Sequence, residues 1–181
     1  MKIGSSIPAW RVPTFTKGTL TFSSLIHSTS QPLVLCCTPS LTASQAWLLE
    51  THVTEFHNRH TSLATLVSRY MHYDLPWTLP SSNFSLPLLT DPLGRLSRSL
   101  GLSHNLASER CETLFFTEDH RLAFRLVHNL NIKGLLKVLE ITEHHISHHL
   151  QPPSQELKNP IPFIQPNVEN LETHAAVHIS T

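Results

Sequence analysis

The run Leu33-Val34-Leu35-Cys36-Cys37-Thr38, stopped by Pro39 and followed from Thr42 by apolar residues at helical spacing, constrains this chain more than any other feature. Six uncharged residues between Pro32 and Pro39 read as a buried strand. Beyond Pro39, the positions Ala46, Trp47, Leu49, Val53 and Phe56 recur at three- to four-residue intervals. This spacing predicts a helix over 42–60 with those residues on one face. Residues 62–68 (SLATLVS) are a second buried-strand candidate. Strand, helix, strand in this order is a βαβ unit, which requires parallel strands and a right-handed crossover. The short turn before the helix directs the unpaired N–H groups of its first turn outward, where many α/β proteins hold an anion or a nucleophile. The side chains at this turn are those of Thr42, Ser44 and Gln45, with no cysteine among them.

The flanking segments extend this unit. Residues 1–13 read as an extended lead-in, since Pro8 and Pro13 oppose helix. Lys17-Gly18 sits between Phe15 and the alternating run Thr19-Leu20-Thr21-Phe22, a hairpin signal over 14–22. Ser23-Ser24 is expected to cap one short turn through Leu25-Ile26. Residues 69–83 carry two prolines and read as a loop. Residues 84–89 are expected to form a short strand interrupted by Pro87, Asp91-Pro92-Leu93-Gly94 a turn, and 95–100 a short helix stopped at Gly101. Residues 112–116 and 122–127 predict two strands joined across Glu118-Asp119-His120. A last helix is expected over 133–150, with Leu135, Leu136, Leu139 and Ile146 as its apolar face. From Gln151 the chain turns proline-rich and poor in apolar residues beyond Ile161, Phe163 and Ile164. The division expected is therefore a folded domain over 1–150 and a tail over 151–181.

Composition narrows the function classes. Thirteen basic and thirteen acidic side chains cancel, so no electrostatic grip on nucleic acid or an anionic membrane is expected. The opening MKIGSSIPAW has no apolar core of a secretory signal, and no apolar run approaches the roughly 20 residues of a membrane span. The expectation is a soluble, cytoplasmic protein that needs no cofactor. Cys36, Cys37 and Cys111 are too few and too badly spaced for a disulfide framework or a cysteine-based zinc site. Adjacent cysteines in a strand face opposite ways, so Cys36 and Cys37 read as two small core residues.

Several fragments, in order, resemble the peroxiredoxins, in particular the alkyl hydroperoxide reductase and thiol-specific antioxidant group with features of the thiol peroxidases. Gly4-Ser5-Ser6-Ile7-Pro8-Ala9-Trp10 resembles that family's opening segment, and residues 14–25 its N-terminal hairpin. Thr38-Pro39-Ser40-Leu41-Thr42 is similar to the thiol peroxidase loop with one residue missing. Leu66-Val67-Ser68 resembles the strand that follows, and Asp74-Leu75-Pro76-Trp77 a thiol peroxidase segment. Residues 86–102 (LPLLTDPLGRLSRSLGL) match best, and residues 110–122 resemble the later strand and turn. The resemblance covers about residues 3–150. It implies a thioredoxin-like α/β fold: a central mixed sheet with helices on both faces and an N-terminal β-hairpin.

The same resemblance implies a peroxide-reducing cysteine in the first turn of the 42–60 helix, where the helix N-terminus and an arginine would lower its pKa. Thr42 is the counterpart of the family's threonine and Pro39 of its proline. Counting onward, the nucleophile position falls on Gln45 or Ala46, neither of which is a cysteine. The family's arginine corresponds to Arg110, although an ungapped count places Cys111 there. No cysteine follows Cys111 to act as a resolving thiol. Thr42, Gln45, Arg110 and Cys111 are thus the counterparts of a degenerate active site.

Three readings of function follow. The first is a non-catalytic or weakly redox-active relative. The second is a thiol-dependent peroxidase and antioxidant protein using a relocated cysteine, Cys111, with a thiol reductant protein as partner. The third rests on Glu143-His144-His145-Ile146-Ser147-His148-His149. On a helix, His144 and His148 share a face at i, i+4, a spacing that suits a divalent metal, while histidines near a helix C-terminus need no metal to explain them. His52, His57 and His60 read as solvated surface. By resemblance, a homodimer or higher homo-oligomer is expected.

Overall fold

In a computed structural model, the structure describes residues 1–8, 11–16, 19–23, 30–68, 84–103 and 110–150, with backbone alone for residues 20, 22, 23 and 148–150. Seven strands form one mixed sheet: β1 (Val12–Thr16), β2 (Thr19–Ser23), β3 (Leu33–Thr38), β4 (Ser62–Val67), β5 (Leu88–Thr90), β6 (Arg110–Phe116) and β7 (Leu122–Asn129). Their spatial order is β2-β1-β5-β4-β3-β6-β7. Among the described residues three helices accompany them, α1 (Ala43–Asn58), α2 (Arg95–Leu100) and α3 (Ile132–Leu150). The βαβ unit is as expected: β3 pairs in parallel with β4, Leu33 opposite Ser62 through Thr38 opposite Val67. On its other side β3 pairs antiparallel with β6, Cys36 opposite Thr113. The hairpins β1–β2 and β6–β7 close the two edges.

The alternation of β3 sorts the core into two halves. Val34 and Cys36 join Ala46, Leu49 and Phe56 of α1 and Leu135, Val138 and Leu139 of α3. Leu33, Leu35 and Cys37 join Ile7 of the lead-in and Leu96 and Leu100 of α2 on the opposite face. Cys36 and Cys37 therefore lie on opposite sides of the sheet. Full burial of a side chain such as Leu49 or Phe56 is worth about 2–3 kcal/mol. That is enough to dock α1 whatever its intrinsic propensity, which a 16-residue helix cannot rely on alone.

The fold departs from the sequence reading at several places. The strand expected over 84–89 is only Leu88–Thr90. Residues 84–86 are held outside the ladder by Glu50, whose Oε1 accepts from Ser85 N and Oγ at 2.9 and 2.6 Å and whose Oε2 accepts from Leu86 N at 2.7 Å. Leu136 is 52% exposed, and the inward position belongs instead to Val138, with no exposed surface. His52 is buried, not solvated, because its Nδ1 pairs with the α1 carbonyl of Leu48 at 2.7 Å, while His57 and His60 are exposed. The turn expected at 25–26, the loop at 69–83 and the tail at 151–181 lie outside the described residues.

Candidate functional site

The turn between β3 and α1 is built by its own hydroxyls. Thr38, buried at the end of β3, donates from Oγ1 to Ser40 O at 2.7 Å and approaches Arg110 O at 3.4 Å. This carries the chain past Pro39 and ties the turn to the start of β6. Thr42 then caps α1. Gln45 N donates to Thr42 Oγ1 at 3.3 Å, and Thr42 N donates to Gln45 Oε1 at 2.9 Å. Thr42 Oγ1 also lies 3.0 Å from Gln45 Oε1 and 3.1 Å from Ser44 Oγ. The result is a closed capping box, in which the side chain at one of the two expected nucleophile positions, Gln45, is spent on the helix's own backbone. A carboxamide in this role is neither a peroxide nucleophile nor an exchangeable ligand.

Arg110 opens β6 with an exposed side chain, and Cys111, next in line, is fully buried. Cys111 does not stand alone. Its Sγ lies 3.7 Å from Thr113 Oγ1, and Cys36 Sγ reaches the same oxygen from β3 at 3.5 Å. Thr113 Oγ1 is 2.7 Å from His128 Nε2 on β7, and His128 Nδ1 is 2.8 Å from Asn129 O.

The hydrogens in this chain follow from chemistry. A carbonyl only accepts, so His128 Nδ1 carries the proton and Nε2 of the neutral ring accepts. Thr113 must then donate to His128, leaving its oxygen to accept from the thiols. Burial holds His128 below its ordinary pKa of 6.5, which keeps the ring neutral. Burial also pushes the Cys111 and Cys37 thiols well up, while the neighbouring Cys111 thiol, followed by the opposing effect of burial and a contribution from Thr113, leaves Cys36 lowered.

Gly134 of α3 makes room for this arrangement. A Cβ there would collide with Asn129 O and lie 2.5 Å from His128 Nδ1. Asn131 starts the helix beside it, its Oδ1 accepting from Gly134 N at 2.9 Å. Sequence reasoning did not single out Thr113, His128 or Gly134. The available signal was a glycine inside a helical run, which marks close approach of another backbone.

The histidine-rich end of α3 is divided. His144 is exposed, His145 packs edge-on against Phe115 at 5.3 Å between ring centres, and the side chain of His148 lies outside the described residues. Among the described residues no group of three or more His, Cys, Asp or Glu side chains gathers in a way that could hold a metal. A cavity of about 460 Å³, lined in part by Phe115, Leu122, Ala123 and Ile146, opens at the end of the sheet remote from the α1 N-terminus. Among the described residues no helix is long and apolar enough to cross a membrane.

No protein-family model and no curated protein matches the chain. Solved structures do. Reduced 2-Cys peroxiredoxin from Plasmodium vivax shares 17% identity at a TM-score of 0.63, covering 80% of this chain and 98% of its own. AhpC of Enterococcus faecalis shares 14% identity at 0.63, covering 81% and 95%. A cysteine-to-serine mutant of PrxQ from Xylella fastidiosa shares 16% identity at 0.65, covering 81% and 98%. The resemblance read from sequence fragments thus extends to the three-dimensional fold, which is the thioredoxin-like α/β fold of these proteins.

Proposed function

We propose that this chain is a peroxiredoxin-like scaffold with a degenerate active site, retained for binding or assembly and not for catalytic peroxide reduction. The observation that carries this reading is the closed box between Thr42 and Gln45, which fills the first turn of α1 with a side chain that cannot react. In this reading Thr42 and Gln45 mark the former nucleophile turn, and Arg110 and Cys111 are remnants of its far wall. The domain over 1–150 carries the scaffold, and the segment 151–181 is an appended tail. Assembly into a homodimer or larger homo-oligomer in the cytoplasm fits such a role. A Plasmodium yoelii protein of the same fold, modified at its N-terminus, is described as forming an artifactual octamer.

A second reading, a thiol-dependent peroxidase and antioxidant working through Cys111 with a thiol reductant protein, is favoured by one observation, the neutral imidazole joined to the thiols through Thr113. Complete burial and a raised thiol pKa weigh against it. Metal binding by His144 and His148 rests on their helical spacing alone. Peroxide consumption with a dithiol reductant separates the first two readings. Equal background rates for wild type and Cys111→Ser support the scaffold, and turnover lost in the variant establishes the relocated thiol.

A further inference from the structure

We propose that the cavity beside the β6–β7 turn is the docking site of this chain's own C-terminal segment, Pro160-Ile161-Pro162-Phe163-Ile164, brought back from the end of α3. The cavity, about 460 Å³, is mainly apolar and incompletely covered. Of its lining, Phe115 and Leu122 are buried, Ala123 and Ile146 are half-buried, and Ile3 is 71% exposed. Concave apolar surface of this size gains free energy when an apolar group displaces its water.

Three observations select the occupant. The first is where α3 ends. Ile146 lies four residues before Leu150, about 6 Å along the helix axis, so α3 delivers the chain beside the cavity. Pro152 and Pro153 then oppose any continuation of the helix. Ile161 follows Leu150 by eleven residues, a reach of up to about 36 Å, ample for the chain to turn back.

The second observation is composition. Residues 161–164 hold the densest run of large apolar side chains beyond Leu150. Pro160 and Pro162 restrict the backbone there and remove two N–H donors. Seating this segment therefore loses less conformational entropy and brings fewer unpaired donors into an apolar site. Its tether to α3 also holds it at an effective concentration on the order of millimolar, an advantage no free ligand has.

The third is charge. Glu118 and Asp119 line the cavity with exposed side chains, and Arg121 is held beside them by donating to Gly4 O at 3.1 Å. Lys158 is the only lysine or arginine beyond Leu150, and it stands three residues before Ile161. Glu156, two residues earlier, supplies the opposite sign for Arg121. The cavity lies at the end of the sheet remote from the α1 turn, so its occupancy does not depend on what that turn can catalyse.

Two measurements on the full chain test the proposal. Trypsin has one site beyond Leu150, at Lys158, and release of the 159–181 peptide is followed by mass. Phe163→Asp should speed this cleavage by about tenfold or more, because proteolysis tracks the undocked population. The thermal midpoint serves as a check that the domain remains folded. A benzophenone maleimide on Gln165→Cys then locates the segment, since the three native cysteines are buried from the reagent. Irradiation of the dilute chain should join it, within one chain, to peptides carrying Ile3, Ala123 or Ile146. Equal cleavage of wild type and Phe163→Asp, adducts on another face, or cross-links only between chains would each overturn the proposal. Equal binding of an apolar fluorescent dye to both would also overturn it, by showing a cavity open to outside ligands.

Discussion

Gln45 Oε1 lies 2.9 Å from the backbone nitrogen of Thr42, so Gln45, one of the two positions (with Ala46) where the resemblance led us to expect a nucleophile, caps its own helix. The helix N-terminus that would stabilise a thiolate is used here to stabilise the helix. Thr42→Ala should therefore cost about 1 kcal/mol by loss of the cap. Gln45→Ala should cost less, since it removes the reciprocal arm alone. Because the two side chains act as one unit, the double variant should fall short of the sum. Urea denaturation of the three variants checks both size and non-additivity.

Glu50, further along the same helix, is a structural carboxylate. Three donors from Ser85 and Leu86 converge on it. Glu50→Ala should destabilise by about 2 kcal/mol, in the range for hydrogen bonds to charged groups. Amide hydrogen exchange should speed up selectively across Leu88–Thr90, the strand that these bonds deliver to the sheet.

Gly134→Ala gives an unusual sign. In an exposed helix interior the change would stabilise by about 1 kcal/mol through propensity. Here the new methyl meets Asn129 O and His128 Nδ1, so the variant should lose stability and disturb the His128–Thr113 bond. A rise in thermal midpoint for this variant would contradict the packing described.

His128 should make stability depend on pH in one direction. Its folded pKa is depressed by burial, so the unfolded chain binds the proton more readily. The contribution is fully present above the unfolded value of about 6.5 and is lost as pH falls from there toward the folded value. The difference in unfolding free energy between wild type and His128→Gln, followed across that window, isolates this group from the other 13 histidines.

Glu112 and Arg125 form an ion pair at 3.0 Å with Glu112 almost wholly buried, and Arg125 also donates to Leu100 O and Gly101 O at the end of α2. Glu112→Ala should cost about 3 kcal/mol, because it leaves a half-buried guanidinium without its partner. A Glu112→Leu/Arg125→Met double variant should recover much of that loss. Chemical denaturation of the pair of variants measures it.

How much of this was legible beforehand depended on the range of the interactions. The β3 bounds and the start of α1 were readable because Pro32, Pro39 and the apolar spacing after Thr42 are local signals. The hairpin at Glu118-Asp119-His120 was readable for the same reason. Strand β5 was misjudged because Glu50, 35 residues away, decides where the ladder begins. Leu136 and Val138 exchanged roles because the true inward stripe of α3 is fixed by the sheet beneath it. The thiol cluster could not be read at all. It exists only once the β3–β6 and β6–β7 registers bring Cys36, Cys111, Thr113 and His128 together, across 77 residues for the first contact.

The central claim is that the fold persists while the reacting atom of its turn is gone. Steady-state hydrogen peroxide consumption by the full chain, with dithiothreitol in excess and the protein well below peroxide, tests it most directly. The expected result is the uncatalysed rate from the start, unchanged by Gln45→Ala. Sustained turnover over many equivalents, abolished by Cys111→Ser, would contradict it.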